Sequence, residues 1–251
     1  MNVIFDNNGR SGVNGEHSPL DAVVPAMMID HSFSNEPAVD PVDATKAKLS
    51  PPQLLEWTVD DLVMKDITIA QKDADALIAD SDLTVLHFKD FGLDFIKKVG
   101  KVSPDAFVQM AIQLAYFKIH GKFAPVYESS STRQFLHGRT ETCRSCSVDS
   151  TAFLKVCVDK TLSNAEKYKY LQKACKSHVD YITAASNGRG CDRHMLGLRM
   201  VIKPDEPTPA IFTDPAYRES MSFRLSTSGL FTSKCIVATG FGAGVVNFYL
   251  I

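Results

Sequence analysis

Residues 94–121 read DFIKKVGKVSPDAFVQMAIQLAYFKIHG and hold the most regular pattern in the chain. Ser103-Pro104-Asp105 supplies a capping hydroxyl, a proline at the first helical position and an acid in the first turn, which together start a helix. Gly121 stops it, since a glycine takes the left-handed conformation that closes a helix end. Between these signals Phe107, Met110, Ala111, Leu114 and Ala115 recur at three- and four-residue spacing, so the sequence predicts a helix with that stripe against a core. Lys97, Lys98 and Lys101 stand just ahead of it. Free amide donors and the helix dipole favour an anion there, so a phosphate-bearing cofactor fits; a solvated lysine cluster fits the same residues.

Outward from this helix, strand and helix patterns alternate. LEWTV (55–59) and LTVLHF (83–88) read as strands flanking a helix around residues 62–80, where Ile67, Ile69, Ala74 and Ile78 give a partial apolar stripe. At the start, VIFDNNGRSGVNG (3–15) has an apolar opening, an Asn-Asn-Gly turn and further glycines, a strand or hairpin. Ser18-Pro19-Leu20-Asp21 repeats the helix-start signature ahead of AVVPAMMI (22–29), a helix expected to kink at Pro25. Residues 31–54, with Pro37, Pro41, Pro51 and Pro52 and little apolar period, read as an irregular surface connection. Ser163 with Glu166 forms a capping box for a helix ending near Asn187-Gly188, and SFRLSTSG (222–229) and KCIVATG (234–240) read as strands. The fold class is α/β, a mixed β-sheet flanked by helices.

Composition narrows the function. The 251 residues are 45% hydrophobic and 22% charged, enough to bury a core and against disorder. A net charge of −2 with no dense basic block argues against nucleic acid as a partner. No apolar run approaches the ~18 residues of a spanning helix, and MNVIFDNNGR lacks a signal-peptide pattern, so no transmembrane segment is expected and the cytoplasm is the default compartment. Six cysteines in so long a chain read as buried or free thiols in a reducing compartment. Cys143 and Cys146 have CxxC spacing, but no second pair follows, which argues against a metal or redox site.

Candidate chemistry gathers at four places. His17 follows two glycines and precedes a helix, where an imidazole can serve as general base; loop histidines are more often surface or packing residues. Asp21 doubles as the acid of a capping box. Residues 127–147 pack hydroxyls and charges with few aliphatics, suited to a polar pocket wall or to a surface turn. Ser226-Thr227-Ser228-Gly229 could offer hydroxyls to a developing oxyanion, or simply end a strand.

Taken in order, NGEHSPLDA (14–22), residues 94–118, YESSSTRQFLHGRTET (127–142), GCDRHMLGL (190–198) and STSG (226–229) resemble the motifs of the carnitine/choline acyltransferase family, over nearly the whole chain. The resemblance implies a chloramphenicol acetyltransferase-like lobe spanning residues 1–251. This would be the carboxyl-terminal lobe only, with the active site in a tunnel against an amino-terminal lobe that is absent. It implies His17 as general base, Asp21 as the acid near it and Ser228 as oxyanion donor. Lys97, Lys98, Lys101, Ser103 and Asp105 fall on the coenzyme A segment, and Tyr127, Ser129, Thr140, Arg193 and Ser226 on the carnitine site. Coenzyme A or acyl-CoA would be a co-substrate, with no permanently bound cofactor, and carnitine the other small-molecule substrate. Choline-using members carry a Val-Asp-Asn-like triplet where this chain has Thr140-Glu141-Thr142, and lack the arginine.

Departures from the pattern also shape the expectation. Leu93 stands where many members have a coenzyme A lysine, and Gly229 where some have glutamine. After ATGFGAG the chain runs to VVNFYLI, without the Asp-Gly-Tyr-Gly turn and final helix usual in the family, which suggests a fragment. Two functions follow: a carnitine O-acyltransferase handling short acyl groups, like the fungal acetyl-transferring members, or a catalytically incompetent lobe that only binds coenzyme A or a partner chain. The family also allows a mitochondrial or peroxisomal setting.

Overall fold

The computed structural model describes residues 2–15, 17, 18, 21–35, 53–82, 84, 86, 88–230 and 240–245. They belong to two units, Met1–Glu36 with Phe91–Ile251, and Pro37–Asp90.

The first unit opens on the expected hairpin. Strands β1 (Asn2–Phe5) and β2 (Ser11–Asn14) pair antiparallel, and Gly9 takes φ 79° in the turn, a left-handed value that glycine adopts without strain. Helix α1 (Val23–Ser34) starts later than the capping signature suggests. The Asp21 carboxylate is committed to Arg139 instead of capping, while the Asp21 carbonyl accepts from Val24. Pro25 therefore falls in the first turn, where a missing N–H costs nothing, and the expected kink has no cause. The helix also runs past residue 31 to Ser34, so the irregular connection begins later than expected; residues 36–52 lie outside the described ones.

In the second unit, α2 (Asp61–Ala79) fills the predicted helix, with Asp60 accepting from Val63 N at 2.9 Å as its cap. Residues 55–59 form no strand. An extended segment needs a neighbour for its backbone groups, and no strand pairing reaches this one among the described residues. Thr84, Leu86 and Phe88 carry no strand either; Leu83, Val85 and His87 lie outside the described residues.

The remainder of the first unit is a sheet backed by helices. Helix α3 (Leu93–Lys98) leads into α4 (Pro104–His120), capped by Ser103 and closed by Gly121 at φ 65°, as the sequence predicts. Strands β3 (Val126–Ser131) and β4 (Thr140–Cys143) form a hairpin, followed by α5 (Val148–Val158) and α6 (Asn164–Ala184). The Ser163–Glu166 capping box starts α6, and a π turn over Ala185–Arg189, with Gly188 at φ 73°, ends it. Helices α7 (Asp192–Met200), α8 (Ala210–Thr213) and α9 (Pro215–Ser220) precede β5 (Leu225–Leu230) and β6 (Gly240–Val245). SFRLSTSG thus contains a strand as predicted, whereas KCIVATG lies outside the described residues up to Gly240.

The sheet order is β4-β3-β5-β6, with β3 and β5 parallel and the outer pairs antiparallel, the mixed sheet expected. Ala106 and Met110 of α4 pack with Phe153, Leu154, Ala174 and Cys175 of α5 and α6. The buried face of α4 also includes Gln109 and Gln113, while Ala111 and Ala115 of the predicted stripe are exposed. The helix is rotated toward the sheet because these amides have partners there: Gln109 hydrogen-bonds Thr227 at 3.0 Å and Gln113 donates to the Ser145 carbonyl at 3.1 Å. Cys143, Cys146, Cys157, Cys175 and Cys191 are free thiols.

Candidate active site

The two faces of the sheet carry different chemistry. Side chains alternate across a strand, and on β3 the residues Val126, Glu128 and Ser130 are buried while Tyr127 and Ser129 stay partly open. The register sets Tyr127 beside Ser226, Ser129 opposite Thr142 and Ser131 opposite Thr140. Tyr127, Ser129, Thr140, Ser226 and Ser228, far apart in sequence, therefore share one half-exposed face. Arg193, in the first turn of α7, reaches that face: Nε donates to the Thr140 carbonyl at 3.0 Å, and Nη2 lies 3.3 Å from Tyr127 Oη and 3.5 Å from Thr140 Oγ1. Asp192 beside it is buried and bound bidentately by Arg144, at 3.0 and 2.6 Å, which anchors the start of α7.

His17 sits in an exposed bend after β2, and its backbone is held from the β3–β4 turn. Arg139 donates to the carbonyls of Ser18 at 2.8 Å and His17 at 3.3 Å, and pairs with Asp21 at 2.9 Å. The Asp21 carboxylate thereby raises the guanidinium pKa and fixes the anchor of the histidine segment. Arg139 thus joins Asp21 to the His17 backbone, and its place immediately before Thr140 ties this segment to the hydroxyl face.

The opposite face is a buried polar network that the sequence does not announce. His178 Nε2 lies 2.6 Å from Glu128 Oε2, both side chains nearly inaccessible, and Ser145 donates to the same oxygen at 2.8 Å. Asp105, in the first turn of α4, lies near this network; burial, and then the neighbouring Glu128 charge, push its pKa up to about 6. Ser103 is occupied as the cap of α4, while Lys97, Lys98 and Lys101 are exposed, Lys98 pairing with Asp94.

Cys143 joins Glu128 and His178 in one group of potential metal ligands. Ligands around a tetrahedral zinc stand about 3.3 Å apart, so a Glu128–His178 separation of 2.6 Å is that of a shared proton. Burial also drives the Cys143 thiol pKa far upward, against the thiolate that a metal needs.

The profile of the Choline/Carnitine o-acyltransferase family matches residues 1–251. The chain belongs to this family. It is 37% identical over 229 residues to carnitine O-acetyltransferase of Mus musculus, covering 91% of this chain and 36% of that protein. It is 34% identical over 234 residues to peroxisomal carnitine O-octanoyltransferase of Bos taurus, covering 90% of this chain and 38% of that protein. Choline O-acetyltransferase of Sus scrofa is 32% identical over 257 residues, 97% of this chain and 40% of that protein. The chain thus spans well under half the length of these family members. No helix among the described residues is long and apolar enough to cross a membrane.

The Asp105–Glu128 pair makes stability depend on pH. With its pKa at about 6 against the ordinary 3.8, Asp105 keeps a proton in the folded state that the unfolded chain has released. Its contribution to stability therefore falls as pH rises from about 4 to about 6 and is level above. Asp105→Asn, a neutral mimic of the protonated acid, is expected to match the parent in urea unfolding at about pH 3 and to exceed it at pH 7.5. Parallel pH profiles for the two proteins would contradict this.

Proposed function

We propose that this chain is the carboxyl-terminal, chloramphenicol acetyltransferase-like lobe of a carnitine O-acyltransferase moving short acyl groups, acetyl above all, between coenzyme A and the carnitine hydroxyl. The observation that supports this most is the seating of Arg193 on Tyr127 and Thr140. A guanidinium offers a carboxylate parallel donors in a matching plane, and carnitine has a carboxylate where choline has none. The related proteins include users of both acceptors, so this arginine is what favours carnitine.

In the proposed reaction the His17 imidazole takes the carnitine hydroxyl proton as that oxygen attacks the thioester carbonyl. The Ser228 hydroxyl donates to the tetrahedral oxyanion. Collapse breaks the carbon–sulfur bond, and the coenzyme A thiolate recovers the proton from His17, so acyl transfer is direct. Ser129 and Ser226 complete the acceptor's polar surroundings. Lys97, Lys98 and Lys101 meet the coenzyme A phosphates ahead of α4, with Ser103 and Asp105 at the helix start.

Two concavities, of about 340 and 400 Å³, are lined by other residues, Phe123, Val126 and Arg144 in one and Val24, Met28 and Arg133 in the other. The chain covers 36% of the length of a full carnitine O-acetyltransferase, which supports a site completed by an amino-terminal lobe and favours, as a second reading, an isolated chain that binds without turning over.

Arg193→Asn, in the chain supplied with the amino-terminal lobe of a full-length relative, is expected to raise the carnitine KM at least about tenfold, because a charge-assisted bond contributes roughly 1.5–3 kcal/mol. An unchanged KM would exclude carnitine's carboxylate as its partner. Lys97→Glu is expected to weaken coenzyme A binding in calorimetry, with a deficit that shrinks as salt rises. Equal affinities at low salt would remove the lysine cluster from the cofactor site.

A further inference from the structure

The turn between α3 and α4 holds Lys101, the last of the three lysines ahead of α4, in a conformation that its own Cβ disfavours. Lys101 has φ 48°, in the left-handed region that residues other than glycine seldom enter. The glycine of this turn stands one residue earlier, where space requires it: a methyl at Gly100 would lie 2.7 Å from the Ile96 carbonyl oxygen. The amides of Val99 and Gly100 both donate to the Phe95 carbonyl, at 2.9 and 3.0 Å, so the chain winds tightly off the end of α3 and the left-handed step falls on the lysine.

A bond from α6 holds this step. The Tyr168 hydroxyl donates to the Gly100 carbonyl at 2.9 Å and accepts from Gln172 Nε2, one helical turn further on, at 3.0 Å. The Gly100 carbonyl and the Lys101 amide belong to one planar peptide unit, so fixing that oxygen fixes the plane from which Lys101 reaches φ 48°. Backbone strain of this kind persists only where the surroundings over-determine it, and it gathers at functional sites. Lys101 is exposed and enters none of the ion pairs among the described residues, so the strained step serves no charge pairing there.

We propose that Tyr168 is a positioning residue for coenzyme A, its hydroxyl locking the Gly100–Lys101 peptide so that Lys101 is held ready ahead of α4. The inference rests on the reading of Lys101 as a contact of the coenzyme A phosphates. Without the hydroxyl the peptide is free to rotate and Lys101 relaxes to negative φ, so the turn must be ordered again when the phosphates bind. That ordering is a cost of binding which a fixed turn has already met. Phenylalanine at 168 keeps the ring and removes only the donor. Position 168 lies outside all the segments that mark the family in this chain.

Two measurements on the 251-residue chain test this. The first reads the strain. Lys101→Gly is expected to raise the thermal midpoint by about 2 °C or more, since glycine takes the left-handed conformation freely, and to raise it by less than half as much in Tyr168→Phe, where the turn has already relaxed. Equal gains in the two backgrounds, or no gain in either, would overturn the lock. The second is calorimetric titration with coenzyme A. Tyr168→Phe is expected to weaken binding about fivefold, the size of one neutral hydrogen bond, and to cause no further loss in a chain carrying Lys101→Met, because the hydroxyl acts through that lysine. A loss that persists in the Lys101→Met background, or parental affinity in Tyr168→Phe where Lys101→Met is weakened, would refute the positioning role. A Lys101→Met chain that binds coenzyme A as the parent does, or a parent that binds none, refutes Lys101 as a phosphate contact, while the thermal midpoints still decide the lock.

Discussion

Replacing His17 with alanine is expected to lower carnitine-dependent release of the coenzyme A thiol by about 10²–10⁴-fold, the contribution of a positioned general base. The chain would be assayed together with the amino-terminal lobe of a full-length relative. Arg139 holds this segment through the carbonyls of His17 and Ser18 and through Asp21, so the substitution leaves that anchor in place. The thermal midpoint and the affinity for coenzyme A should therefore be those of the parent. A loss of activity accompanied by an equal loss of stability would instead make His17 a structural residue, and full activity would remove it from the mechanism.

The largest effect on stability is expected from His178→Leu. Glu128 and His178 are 1% and 3% exposed, and the histidine is the closest partner of a carboxylate that burial would otherwise disfavour. Removing one member of such a pair costs about 3–5 kcal/mol, because the other is left buried without compensation. Urea unfolding should show a loss of this size, and Glu128→Gln in the same background should return part of it by removing the orphaned charge. A loss under about 1 kcal/mol would mean that Ser145, with water, satisfies Glu128 without the histidine.

These two residues also mark how far the sequence could be read. Helix α4 was legible because Ser103, Pro104, Asp105 and Gly121 act locally, through backbone groups within a few residues of themselves. The β1–β2 hairpin and the capping box of α6 were legible for the same reason. Strand β3 was not, since Tyr-Glu-Ser-Ser-Ser lacks the apolar alternation by which strands are found. Its buried positions hold Glu128 and Ser130, satisfied by His178 and by Ser186 from far along the chain. The face of α4 was misjudged in the same way, because Gln109 and Gln113 are buried by partners that no periodicity reveals. LEWTV shows the converse: strand-like composition makes no strand without a neighbour to pair.

At the candidate site, resemblance to the family picked out Tyr127, Thr140 and Arg193, and the sheet register gives the physical reason that they meet. Arg139 escaped notice, since it acts across a distance in sequence, on the backbone carbonyls of His17 and Ser18.

The most direct test follows thiol release from acetyl-CoA in the presence of carnitine, using the purified 251-residue chain alone, the amino-terminal lobe of a full-length relative alone, and their mixture. Turnover needs both substrates held about 3–3.5 Å from their reacting positions in a water-excluded site, and the chain spans well under half the length of its relatives. The account predicts carnitine-dependent turnover in the mixture, little or none from either part, and its loss when the chain carries His17→Ala. Robust turnover by the isolated chain, or turnover in the mixture that survives His17→Ala, would contradict it.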